Sequence, residues 1–456
     1  QKRYWWHGLL LSPVRIRYPE LELALYKLYQ YTGNNQYLEF MKYILMERGK
    51  QPSFLLKDTG YGEQYHDKWF ALEYHQAHKP ILEQTEAVGH AVRAMYLYSG
   101  MADLAKTLDD ETLFKTLKVL WADVTTKKMY ITGAIGSDEH GEGFSIAYDL
   151  PNDRAYAETC ASIGLFMWAR RMLKLELNSD YADVMELALY NGISSGMSED
   201  GKQYFYVNPL EVNPAKVHQR YDLKHVRSSR VTWFGCACCP PNVARILTSL
   251  EKYSYDISDD SNSIAIHLYL CGQIIMSDDS VWNITGKYLT DGKIEITYSG
   301  EEKDFTLRLR NPGWSTACEI RINGLRIKAE SEQGYFYILR KWKNGDTVQL
   351  KFGITAQLVY ANTYVEDDAG KVAVMRGPVV FCLEEADNGK NLSELMIGTI
   401  ESHCENSVIL NGYREHTMDS IALYSTNPPS IEETTIKAIP YSHWGNTGEG
   451  EMKVWV

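Results

Sequence analysis

The hydrophobic pattern of this 456-residue chain changes period once, near residue 258, and that change limits the folds open to it. Before it, apolar residues recur at helical spacing. ELELALYKLYQYTG (20–33) and QYLEFMKYILMERG (36–49) predict amphipathic helices stopped by Gly33 and Gly49. Further helices are predicted over 83–100, 111–128, 159–176 and 181–193. Short turns separate them, so stacked antiparallel helical hairpins are expected. Past the polar run SDDSNS (258–263) the alternation becomes two, in IAIHLYL (264–270), KIEITYSG (293–300), FTLRLR (305–310), EIRINGL (319–325), DTVQLKFG (346–353) and KVAVMRGPVVFCLE (371–384). Strand spacing near ten residues predicts a β-sandwich, and a less regular strand-rich section follows residue 385.

Composition narrows the function classes. A formal charge of −12 argues against a nucleic-acid or anionic-membrane surface. No apolar run is long enough to span a bilayer, so no membrane partner is expected. Tyr and Trp are plentiful, 32 and 11, and aromatic faces can stack on sugars as well as fill cores. No signal peptide opens the chain, and Gln1 in place of an initiator methionine points to a processed or shortened start. Compartment (cytoplasm or periplasm) and oligomeric state stay open.

Eight cysteines are too sparse for a disulfide scaffold, yet three fall at Cys236, Cys238 and Cys239, directly before Pro240 and Pro241. Proline disfavours the α region for the residue before it and is well placed at a helix start. WFGCACCPPN therefore predicts a rigid non-helical turn presenting thiols. Upstream, Glu158 and Cys160 lie two apart, on opposite sides of a regular helix, so both can face one ion only across an extended or distorted helix entry. Glu158, Cys160, Cys238 and Cys239 would form a tetrahedral three-thiolate, one-carboxylate site of the kind that favours Zn²⁺. Cys236 in place of Cys238, or a set of buried inert thiols, is equally compatible with the spacing.

Other candidates are scattered. The glycine-rich loop GAIGSDEHGEGF (133–144) approaches something closely and holds Glu142 between two glycines, where it can serve as a proton donor. His90 shares a predicted helix face with Ala87, Ala91 and Ala94, leaving room for a ligand. Glu186 points inward from an apolar helix and needs a partner, which a sugar hydroxyl would supply. His75 and His78 are one turn apart and are read as structural.

The ordered motifs GHAVRAMYLYSGMADL, MYITGAIGS, YDLPNDRAYAETCAS, YADVMELALYNG, FYVNPLE and CCPPNVAR resemble glycoside hydrolase family 127, the β-L-arabinofuranosidases, and the related family 146. The resemblance covers residues from about 17 to 456. It implies an (α/α)₆ barrel over 1–257, a β-sandwich over 258–360 and a second over 361–456. It further implies zinc ligands at Glu158, Cys160, Cys238 and Cys239, a nucleophile at Cys238, an acid/base at Glu142, and sugar-binding positions at His90, Glu186 and Tyr206. The expected activity is retaining release of terminal β-L-arabinofuranose from plant-type glycans. Alternatives are a hydrolase of the same superfamily for another sugar, and a non-catalytic zinc-containing carbohydrate-binding protein. Two departures stand out. About seven helices precede the strands, so the chain is expected to begin partway through the barrel. Where the family tends to carry a histidine before the segment ELELAL, this chain reads RIRYPELELAL, with Tyr18 in its place.

Overall fold

The computed structural model describes residues 19–53, 72–416 and 423–456; Tyr18 lies outside them. Helices α1 (Glu20–Thr32), α2 (Asn35–Glu47), α3 (Ala91–Leu108), α4 (Glu111–Lys127), α5 (Thr159–Leu175) and α6 (Ser179–Ala188) build most of the part before residue 258. Helix α1 ends on Gly33 in the left-handed region (φ 65°), as expected, and Asp110 caps α4 by accepting from two backbone amides. The buried faces of α3 and α5 pack together, with α4 and α6 alongside. Trp168 of α5 is fully buried at their centre, its ring 5.0 Å from both Tyr98 of α3 and Trp121 of α4. Burying large apolar side chains stabilises such an interface by about 1.5–3 kcal/mol each.

One predicted helix is displaced. The pattern over 83–100 is realised as Ala91–Leu108, which runs through Gly100 instead of stopping there. Gly100 faces α1 so closely that a Cβ on it would meet the Glu22 Cβ at 3.0 Å, so its smallness serves packing and not termination. The start is delayed because Gly89 adopts φ 68° and a Cβ there would lie 2.0 Å from the Glu73 carbonyl oxygen. His90 therefore sits outside the helix. It pairs with Gly143 in a two-residue antiparallel ladder, Gly89–His90 against Gly143–Phe144.

Beyond residue 254 the chain is strand-rich. A six-stranded sheet and a five-stranded sheet, formed between residues 255 and 352, share one core that includes Trp282, Ile296, Leu307 and Trp342. Within the five-stranded sheet, Ser263–Ile266 pairs in parallel with the strand Lys303–Arg310; every other ladder among the described residues is antiparallel. The strands from Ala356 onward enter a single sheet, which also recruits Glu211–Val212 from the helical part through Met452–Lys453. Among the described residues no helix is long and apolar enough to cross a membrane.

The helical and strand-rich parts are stitched together by buried and part-buried polar contacts. Arg170 of α5 donates to both carboxylate oxygens of Asp256, at 2.7 and 2.5 Å. After α6 the chain makes one π-helical turn, Leu189–Ile193, and Asn191 within it donates to the Pro378 carbonyl and accepts from the Val380 amide, both at 2.8 Å. Such contacts matter for function because Cys160 lies in the first turn of α5.

Candidate active site

Three chain crossings assemble the site. The first is the entry to α5. Ala157 has φ 42°, Glu158 is extended (φ −59°, ψ 135°), and the helix starts at Thr159. The distorted entry that Glu158 and Cys160 require is thus present. It is fixed by pairing with 206–208: the Thr159 amide donates to the Tyr206 carbonyl at 2.9 Å, and Asn208 donates through Nδ2 to Thr159 Oγ1. That ladder also places Tyr206 beside Glu158.

The second is the thiol turn. A helix α7 (Cys239–Leu247) begins at Cys239, with Cys238 already in the α region (φ −74°, ψ −39°). This corrects the expectation that Pro240 would hold Cys239 out of the helix. Amides of the first helical turn have no intrahelical acceptor, so both prolines are accommodated without a lost hydrogen bond. Helix α7 packs on α5, bringing Cys239 Sγ to 3.5 Å from Cys160 Sγ. Cys238 Sγ lies 3.5 Å from Glu158 Oε1 and 3.7 Å from Cys239 Sγ. All eight thiols are free.

The third is the glycine-rich loop. Asp138 and Gly143 bridge it, and Glu142 at its tip has φ 52°. Its carbonyl accepts from the Ala91 amide at 3.0 Å, so the loop is pinned to the start of α3. As a result Glu142 Oε2 is 3.2 Å from His90 Nε2 and 3.5 Å from the Tyr206 hydroxyl. The same hydroxyl is 3.5 Å from Cys238 Sγ. His90, Glu142, Tyr206, Cys238 and Glu158 thus form one continuous chain of contacts.

These groups line a pocket of about 540 Å³ together with Arg93, Tyr96, Asn242 and Arg245. Ligand atoms of Glu158, Cys160, Cys238 and Cys239 all lie within 4.8 Å of one another, as do those of His90, Glu142 and Glu158. So dense an acidic set cannot ionise fully without a cation. Burial, then the charges of Cys238 and Glu142, push the Glu158 carboxyl well above its ordinary range. The Cys160 and Cys239 thiols are pushed up as well, chiefly by serving as hydrogen-bond donors within the cluster. Those donors pull Cys238 the opposite way, far below the usual thiol range. Burial works to raise Glu142, but the hydrogen bond and charge of His90, with help from Tyr156, bring it below the ordinary carboxylate value.

Comparisons with known proteins agree along most of the chain. The description "Beta-L-arabinofuranosidase, GH127 catalytic domain" matches residues 12–252. The family's middle and C-terminal domains match 263–354 and 356–456. The chain belongs to glycoside hydrolase family 127. A non-reducing end β-L-arabinofuranosidase of Bifidobacterium longum subsp. longum is 38% identical, over 96% of this chain and 70% of that protein. The crystal structure of a family 127 β-L-arabinofuranosidase from Geobacillus stearothermophilus superimposes with a TM-score of 0.90 at 44% identity, covering 95% of this chain and 71% of that one. A further structure, described as a family 127 β-arabinofuranosidase, gives a TM-score of 0.82 at 35% identity, covering 95% and 68%.

This family 127 chain is therefore a glycosidase, and one position expected in its sugar site stands elsewhere. Glu186 does not line the pocket. Its carboxylate takes Arg310 at 2.5 Å, the Tyr288 hydroxyl at 2.8 Å and the Trp314 indole N–H at 2.8 Å, all from the middle region. The inward carboxylate needed a partner, but protein donors and not a sugar meet that need. His75 and His78 are buried and belong to neither group of potential ligands. Arg93, Tyr96, Asn242 and Arg245 line the pocket beyond the residues expected from the sequence. Asn242 and Arg245 both donate to the Tyr96 hydroxyl, at 3.4 and 3.3 Å, so the α7 residues Asn242 and Arg245 reach across to α3. Their positions three and six residues beyond Cys239, on the same helix, are the available signal.

Proposed function

We propose that this family 127 enzyme is a retaining glycosidase releasing terminal β-L-arabinofuranose from plant-type glycans, with Cys238 as nucleophile and Glu142 as acid/base. One observation carries the reading. The Tyr206 hydroxyl contacts both Cys238 Sγ and Glu142 Oε2 at 3.5 Å, so the two groups are within about 7 Å, a span that suits attack and proton donation across one glycosidic bond. The named activity of the relatives supports the sugar.

Zinc fits the donors present. A tetrahedral ion with arms of about 2.3 Å separates its sulfurs by roughly 3.8 Å, against 3.5 and 3.7 Å here. Glu158 Oε2 is buried with no hydrogen-bond partner, as a donor awaiting a cation would be. Glu158, Cys160, Cys238 and Cys239 would hold the ion, which when bound supplies the positive charge that keeps the thiols deprotonated.

Cys238 attacks the anomeric carbon while Glu142 protonates the departing glycosidic oxygen; the C–O bond breaks and a C–S bond forms. Glu142, now a carboxylate, then takes a proton from the water that attacks the same carbon, and the C–S bond breaks to restore the Cys238 thiolate. His90 and Tyr206 position Glu142 and the sugar. The architecture belongs to the same reading: an (α/α)₆-type helical domain to about 257, then β-sandwiches over 258–360 and 361–456. Metal analysis combined with turnover of p-nitrophenyl β-L-arabinofuranoside tests the whole. Zinc with release of nitrophenol, anomeric configuration retained, is expected; inverted product would overturn the nucleophile.

A further inference from the structure

Away from the catalytic pocket, a groove of about 200 Å³ runs between the end of α4 and the strand-rich C-terminal part. Thr125, Thr126, Tyr148, Tyr360, Asp368 and Trp455 are among the residues that line it. Tyr360 is 72% exposed, and Tyr364, 69% exposed, leans on Tyr148 with ring centroids 5.1 Å apart. Two phenol rings this exposed at one groove offer apolar faces to a ligand. Tyr148 itself is held at φ 67°, a conformation unusual for an aromatic residue, by its amide donating to the Lys127 carbonyl at 2.8 Å. Asp368 is a buried carboxylate whose Oδ1 accepts from Asn152 Nδ2 at 2.7 Å.

We propose that this groove is a second carbohydrate-binding site, taking one furanose ring of an L-arabinofuranose-bearing glycan. Exposed aromatic faces match the apolar C–H face of a sugar, and a carboxylate on the same groove can accept from its hydroxyl edge. Thr125 and Thr126, whose hydroxyls donate to the Trp121 and Ala122 carbonyls, offer acceptor lone pairs. The volume admits about one ring. Tyr148 follows Glu142 by six residues in the same loop, so a glycan held there stays with the enzyme that trims it. The choice of arabinofuranose rests on the specificity proposed above; the site does not use its catalytic groups.

Affinity electrophoresis of the full chain in gels containing soluble arabinan tests the site. Wild-type protein should be retarded, and the double variant Tyr360→Ala/Tyr364→Ala should bind about five- to ten-fold more weakly. Tyr360→Phe/Tyr364→Phe, which keeps the ring faces, should be retarded like wild type. Turnover of p-nitrophenyl β-L-arabinofuranoside should stay within about two-fold in these variants, and Cys238→Ala should leave retardation intact. An unretarded wild type, an unaffected alanine variant, retention by xylan but not arabinan, or retention lost with Cys238→Ala would overturn the groove. Retardation persisting where the nitrophenyl substrate is not cleaved supports the groove and strikes only the proposed specificity.

Discussion

Glu158 and Glu186 are both buried carboxylates of the helical part, 3% and 1% exposed, and they meet burial in opposite ways. Glu186 is surrounded by donors, with Arg310, Tyr288 and Trp314 consuming both of its oxygens. Glu158 is surrounded by acids. Its neighbours are Cys238 and Cys239, and one of its oxygens has no partner. A charge whose partners belong to the protein is architecture; a charge whose missing partner must come from outside is a site. Charged residues buried in a sequence look alike until their neighbours are known.

Breaking the two environments should therefore have different signatures. The largest effect is expected at the acids: Cys238→Ser and Glu142→Ala should each lower turnover of the nitrophenyl substrate by on the order of 10³-fold or more, with far-ultraviolet circular dichroism unchanged. An active Cys238→Ser enzyme would sink the mechanism. Next, Glu186→Ala should cost about 3 kcal/mol in urea unfolding, because Arg310 loses its closest carboxylate, while metal content stays that of wild type. If metal were lost and stability kept, the roles assigned to the two glutamates would be reversed.

A smaller effect concerns His90, whose hydrogen bond and charge lower the Glu142 carboxyl against the opposing effect of burial. Glu142 must carry a proton to act as acid, so activity falls as pH rises through its pKa. His90→Gln removes the lowering influences, raises that pKa, and should move the alkaline limb of kcat/KM to higher pH. A limb that moves down or stays put contradicts the contact. The smallest change is expected at Cys236, which is exposed and outside the four-donor group. Cys236→Ser should alter kcat/KM by less than about three-fold, with metal content unchanged.

Much of this was legible beforehand, for reasons that can be named. Helices α1, α2, α4 and α5 fall within one or two residues of their predicted bounds because capping residues and periodic apolar faces are local signals. Displacement of the 83–100 helix came from contacts that no local pattern contains, those of Gly89 with Glu73 and Gly100 with Glu22. His90 was singled out on the wrong element, since the ladder that brings it to Glu142 joins segments some fifty residues apart. The contact of Arg245 with Tyr96 has no local sign, as it exists only where α7 meets α3.

By itself, the sequence determined the order of helical and strand-rich parts, the family, and the inventory of thiols and carboxylates from which a site could be drawn. Periodicity, caps and ordered motifs are properties of neighbouring residues, so they survive without coordinates. Tertiary structure alone decided which acids share a space. It placed the Tyr206 hydroxyl against both Cys238 and Glu142 and withdrew Glu186 to Arg310. The reason is physical: a buried charge takes its meaning from the sign and number of groups within a few ångströms, and those groups come from distant parts of the chain.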